Sequence, residues 1–162
     1  MDDARRKRRG QALVEFAIAL PVLMFLAAGT MEMGRGYSFA IATSNAARDG
    51  ARFLAGKTAA TNGAGTGGMC SLVTADLAAV TASANVSCPT VVTTKPVAGA
   101  YAPAPGKVIV VVWCGNPSDC TGTATVLSQK EVDVYVYYGF SDLNLLGGGI
   151  TISGASRATT SW

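Results

Sequence analysis

An apolar run near the start constrains this chain more than any other feature. Residues 12–31, ALVEFAIALPVLMFLAAGTM, hold a single charge, Glu15, in twenty positions. About 20 residues is the length at which an α-helix covers the hydrocarbon core of a bilayer. Ala, Val, Leu, Ile, Phe and Met recur on every face, unlike the one-sided stripe of a helix laid on a soluble core. The run therefore predicts a transmembrane helix, the element that satisfies its own backbone in lipid. Pro21 removes one backbone hydrogen bond and predicts a kink, which membrane spans tolerate. The run gives way to MEMGRGY, where Glu32 and Arg35 mark the return to water and Tyr37 suits an interface.

The flank before the run gives it a direction. Arg5, Arg6, Lys7, Arg8 and Arg9 against Asp2 and Asp3 account for the whole net charge of +3. From Gly10 onward eight basic residues balance eight acidic ones. A basic cluster directly before an apolar span is a cytoplasmic anchor, placing the remainder of the chain outside the cytoplasm. No basic surface is spread over the rest of the chain, so nucleic acid is not an expected partner. With 162 residues, 49% hydrophobic and only 14% charged, the chain has room for one domain and is too apolar to be disordered.

Helical character continues past the span. YSFAIATSNAARDGARFLA contains no proline, and Phe39, Ala42, Ala46 and Phe53 fall near one stripe. Gly50 weakens the pattern locally, and Gly56 is a stop signal. One helix over 11–56 would be on the order of 65 Å long at 1.5 Å per residue. Thr58–Gly68 is a small-residue loop by composition. Ser71–Ala84 predicts a second, amphipathic helix with Leu72, Val73, Leu77 and Val80 on one side. Strands follow at Val86–Cys88 and Val91–Thr94, then a connector with Pro96, Pro103 and Pro105. A buried strand is expected at Lys107–Cys114, a turn at Asn116–Asp119, and a half-exposed strand at Gln129–Tyr138. In that strand Val132, Val134, Val136 and Tyr138 alternate with Gln129, Glu131, Asp133 and Tyr135. A short segment at Leu143–Leu146 and a strand at Ile150–Ala158 complete the order. Helices followed by strands predict an α+β fold: a long N-terminal transmembrane helix extended into a small extracytoplasmic domain, 57–162, with an antiparallel sheet.

Cys70, Cys88, Cys114 and Cys120 all fall beyond the span. An even number in an extracytoplasmic domain points to disulfides, and four cysteines allow three pairings. The local pairs Cys70–Cys88 and Cys114–Cys120 each close a short loop and are favoured here. Free buried thiols are the alternative. A metal site has little support, since the chain has no histidine and no CxxC spacing; no cofactor is implied.

The most specific stretch is RRKRRG-QALVEF. It resembles the processing site of type IV prepilins and pseudopilins: a basic leader, a Gly, then an apolar helix with Glu as the fifth mature residue. The resemblance implies a leader at 1–10, cleavage between Gly10 and Gln11 by a membrane-embedded prepilin peptidase, and Glu15 as the subunit-registry residue. Independently of any family, Gly10 lets a protease backbone approach, and cutting there leaves the apolar helix in place. The cut exposes an α-amine on Gln11, about one helical turn from Glu15. A carboxylate in lipid is costly, and in pilin-like filaments a neighbouring subunit's N-terminal amine supplies the cation. The plainer alternative is that Glu15 snorkels to the interface and pairs with Arg8 or Arg9.

RGQALVEFAIALPVLMFLAAGTMEMGR and NAARDGAR, over about positions 9–52, are similar to the TadE-like family of the tight-adherence (Flp) pilus system. VDVYVYYGFSDLNLLGGGITISGASRA echoes it near the end, whereas 57–129 carries no family motif. One departure is Gln11, where many type IV pilins begin the mature chain with Phe or Met. The resemblance implies a minor pilin or pseudopilin of a fibre used in adhesion or secretion. Its partners would be the membrane, other pilin or pseudopilin subunits, the prepilin peptidase and the pilus assembly machinery. Asn45, Arg48, Asp49 and Arg52 form either a contact for another subunit or a solvated helix face with local ion pairs.

Three other readings stay open. A signal peptide cleaved near Ala27–Gly29 would release a secreted domain, but the run exceeds an ordinary h-region and Glu15 does not belong in one. A membrane-tethered enzyme has no histidine, no GxSxG elbow and no phosphate-binding loop to work with. Gly63–Gly68 and Gly147–Gly149 fit flexible loops better. A single-pass scaffold of the secretion machinery would keep the anchor without the filament.

Overall fold

The structure, a computed structural model, describes residues 2–55, 65–97, 99–115, 131–140 and 150–159. Helix α1 runs from Asp2 to Ala55, with Pro21 inside it. The chain divides into two compact units, Met1–Arg35 and Gly36–Trp162.

In the first unit the apolar side chains of α1 face outward. Leu13, Val14, Phe16, Ile18, Val22, Leu23, Met24, Phe25, Leu26, Met31 and Met33 are all exposed. An 18-residue window has mean hydropathy 2.2 and no burial. This stretch is long and apolar enough to cross a membrane.

In the second unit α1 changes character. Phe39, Thr43, Ala46, Ala47, Ala51 and Leu54 are buried. The hydroxyl of buried Thr43 donates back to the carbonyls of Phe39 at 3.0 Å and Ala40 at 3.1 Å, so it enters the core satisfied. Helix α2, Gly65–Asp76, lies against this face. A Cβ at Gly50 would stand 3.1 Å from Val73 Cγ2 and 3.3 Å from Met69 Sδ. The glycine that weakens the helical pattern is therefore where the second helix approaches. α2 begins and ends earlier than the expected Ser71–Ala84: Gly65–Gly68 are helical, and Leu77–Val80 form turns followed by a 3-10 turn at Ser83–Asn85. Leu77 and Val80 still pack on the core, from a turn rather than a helix.

Four strands follow: β1 Val86–Val92, β2 Val108–Cys114, β3 Glu131–Phe140 and β4 Ile150–Thr159. They form one sheet in the order β1-β2-β3-β4. β2, β3 and β4 are antiparallel neighbours, with Val110 opposite Val136 and Val136 opposite Gly154. The β1–β2 pair is parallel, with Val86 opposite Val108. The sheet is thus mixed, which corrects the antiparallel expectation. A parallel return needs a dozen or more residues and usually a helix; here the Pro-rich connection 93–107 is long enough without one. The two short strands expected at 86–88 and 91–94 are one strand, with a register shift between Ser87 and Thr90.

One face of the sheet carries Val108, Val110, Val112, Val134, Val136, Tyr138 and Phe140 into the core shared with α1. Phe39 stacks on Tyr138 with ring centroids 4.2 Å apart. Gly154 allows the closest approach: a Cβ there would overlap the Thr43 carbonyl and the Ser44 nitrogen of α1. β3 is not half-exposed as its alternation predicts, because Asp133 and Tyr137 on the opposite face are also buried. The 93–107 connection folds back over that face. Tyr101 packs on Tyr137 at 5.3 Å between centroids, and Gly106 N donates to Gly139 O while Gly139 N donates to Lys107 O. The expected features at 56–64, Asn116–Asp119, Cys120, Leu143–Leu146 and Gly147–Gly149 lie outside the described residues.

Candidate functional site

Helix α1 positions most of the residues singled out from the sequence. Arg5, Arg6, Lys7, Arg8, Arg9 and Gly10 occupy its first turns, ahead of Gln11. Gln11 and Glu15 are exposed on successive turns, and the Gln11 side-chain amide donates to Glu15 Oε1 at 3.2 Å. The geometry sets the carboxylate one turn from the backbone nitrogen that cleavage after Gly10 would convert to an amine. The Gly10–Gln11 bond lies within α1.

Asn45, Arg48, Asp49 and Arg52 come together farther along α1. They line an open groove of about 530 Å³ with Ser38, Ile41, Asp76 and Val80. Asp49 and Arg52 form a long 4.0 Å ion pair. Asp76, from the end of α2, is a member that the sequence pattern missed. Its Oδ2 is buried without a hydrogen-bond partner among the described residues. Burial and the nearby charge of Asp49 raise its carboxyl above the usual value. No local signal marks Asp76, because its neighbours come from a different helix.

A second polar cluster sits on the outer face of the sheet. Asp133, 3% exposed, receives Arg157 Nε at 2.9 Å and also bonds Lys95 Nζ. Tyr135 donates its hydroxyl to Asp133 Oδ2 at 3.2 Å. Glu131 shares both cations, at 2.7 Å from Arg157 and 3.5 Å from Lys95. Burial alone would raise the Asp133 carboxyl. The hydrogen bonds from Arg157 and Lys95, with the charge of Lys95, outweigh it and hold the group below its ordinary value. Burial, then the charge of Asp133, pushes Tyr135 up to about 12. Lys95 also lies 4.9 Å from the centre of the Trp113 ring, and the Trp113 indole donates to Thr93 O at 3.3 Å. The cluster clamps the 93–107 connection onto β3 and β4. Sequence alternation puts Glu131 and Asp133 on one face of a strand, but nothing local announces their partners Lys95 and Arg157.

Cys70 and Cys88 form a disulfide, with Cα atoms 5.8 Å apart, tying α2 to β1. Cys114, at the end of β2, is disulfide-bonded as well. Among the described residues no group of three or more His, Cys, Asp or Glu could hold a metal ion.

Compared with known families, residues 10–52 match the model of a family described as TadE-like protein. The matched stretch takes in Gly10, Gln11, Glu15, the membrane-length run and the Asn45–Arg52 face. It ends before α2 and the sheet. Neither the curated proteins nor the solved structures give a match.

Proposed function

From a TadE-like segment at residues 10–52, we propose that this chain is a pilin-like structural subunit, a minor pilin or pseudopilin. It would serve the assembly of a tight-adherence pilus used in surface adhesion or secretion. The observation that carries the proposal is the placement of Glu15. It is the one charged residue in the apolar run 12–31, exposed and one helical turn from Gln11.

In this reading the basic cluster Arg5–Arg9 keeps the N-terminus in the cytoplasm, and α1 crosses the inner membrane once. The α+β domain then lies outside the cytoplasm. A prepilin peptidase removes residues 1–10. The new amine of Gln11 on one subunit meets Glu15 of a neighbouring subunit in the apolar filament core. An unpaired charge in any other register makes that alignment selective. The Asn45, Arg48, Asp49 and Arg52 face contributes a polar contact to an adjacent subunit.

Replacing Glu15 with Ala tests the proposal. Membrane insertion and loss of the ten-residue leader, followed by mass spectrometry of the extracted protein, should be unchanged. Incorporation into fibres should be lost. A leader still attached in cells with an active processing protease would overturn the proposal, and normal fibres in the Glu15→Ala variant would favour a membrane scaffold.

A further inference from the structure

Helix α2 is weak by itself. It is 12 residues long, with the sequence GTGGMCSLVTAD, and isolated helices of that length are marginal in water. Three of its first four residues are glycines, which forgo helix propensity relative to alanine. Its first turn holds no acid and its last turn no base, while Asp76 at the C-terminal end opposes the helix dipole. Of residues 67–76 only Met69 and Val73 are buried.

Its firmest hold on the domain is covalent. Cys70 lies between those two anchors, and its bond to Cys88 ties α2 to β1 across a sequence separation of 18. Such a crosslink acts by removing the freedom of the opened chain. Cys88 sits where the β1–β2 ladder shifts register, between Ser87 and Thr90. Both cysteines are half-buried rather than enclosed, which leaves the bond open to a small dithiol. The rest of the sheet has its own support. β2, β3 and β4 pair with one another along their length, and they meet α1 through Tyr138 and Gly154.

We propose that the Cys70–Cys88 disulfide is a redox latch on α2. Oxidised, it keeps Met69 and Val73 against α1 at Gly50 and Asp76 in the groove with Asn45, Arg48, Asp49 and Arg52. Reduced, α2 unfolds locally and that groove loses one wall, while β2, β3 and β4 stay folded. The step consumes a dithiol: two electrons and two protons break the Sγ–Sγ bond into two thiols, and the dithiol closes to its own disulfide. In the proposed topology the domain lies outside the cytoplasm, where thiols oxidise, so the groove is completed only after export. That timing rests on the proposed topology, whereas the latch rests on the fold alone.

Amide hydrogen exchange of the full chain in detergent micelles, read by mass spectrometry, tests the latch without fibre or partner. Cys114 is also disulfide-bonded, so the variant Cys70→Ser, Cys88→Ser, which spares it, carries the comparison. In that variant residues 65–76 should exchange about a hundredfold faster than in the wild type, while β2, β3 and β4 remain protected. Excess dithiothreitol should speed α2 of the wild type by the same factor, and reoxidation should slow it again. An α2 protected to the same degree as the sheet in the serine variant would overturn the proposal, whether both are slow or both are fast. So would a Cys70–Cys88 bond that dithiothreitol leaves intact in the folded protein, as read by alkylation of the two thiols.

Discussion

Substituting alanine for glycine at two positions separates a backbone contact from a side-chain contact. At Gly154 a Cβ would overlap the carbonyl oxygen and carbon of Thr43 and the nitrogen of Ser44, all main-chain atoms of α1. A helix backbone cannot rotate aside. The sheet and the helix must separate by several tenths of an ångström, loosening the contacts of Val136 and Phe39 beside them. Overpacking of this kind costs about 1–3 kcal/mol. At Gly50 the nearest atoms are Val73 Cγ2 at 3.1 Å and Met69 Sδ and Cγ at 3.3 and 3.4 Å. These are side-chain atoms, and methionine adapts readily. Alanine also gains about 0.8–1.0 kcal/mol of helix propensity over glycine, which offsets the smaller crowding. Urea unfolding of the full chain in micelles, followed by circular dichroism, gives the comparison. With a urea dependence of about 2 kcal/mol/M, Gly154→Ala should lower the midpoint by about 0.5–1.5 M. Gly50→Ala should move it by less than about 0.3 M on the same scale. A wild-type midpoint for Gly154→Ala, or a larger loss at Gly50 than at Gly154, would refute this account of how the helices and sheet meet.

Three further outcomes are expected. Asp133→Ala should cost about 2 kcal/mol, within the range for hydrogen bonds to a charged group, because Lys95 and Arg157 can still reach water. Asp133 has a folded-state pKa below its ordinary value of 3.8. Its contribution is therefore present above that pH and lost as pH falls through the folded value, and acid titration of stability should be flatter in the variant. Asp76 has the opposite sign, raised by burial and Asp49. Asp76→Asn should stabilise the neutral-pH protein by on the order of 1 kcal/mol, with the gain fading as pH approaches 3.8 from above, measured by urea midpoints at pH 7 and pH 4. Replacing Cys70 and Cys88 together with Ser opens a loop of sequence separation 18. Thermal unfolding should then show a loss of about 3 kcal/mol.

The long apolar N-terminal helix was legible in the sequence, because it rests on composition along a single element. A run of twenty residues with one charge is visible in consecutive residues, and so is the cluster Arg5–Arg9. The strands at 107–114, 129–138 and 150–158 were legible for the same reason: β-branched runs and period-two alternation are properties of neighbouring residues. Gly50 and Gly154 were not, because a glycine's purpose depends on the element that arrives opposite it. Asp133 looked solvent-facing by alternation, and only the return of 93–107 across the sheet buries it.

By itself, then, the sequence determined which segments form helices and strands and which segment suits lipid, since hydrophobic period and length are written in consecutive residues. Tertiary structure decided the parallel β1–β2 pairing, the burial of both faces of β3 and the Lys95–Asp133–Arg157 clamp. Each of these depends on groups far apart in the chain being brought within a few ångströms, where short-range packing and charge can act.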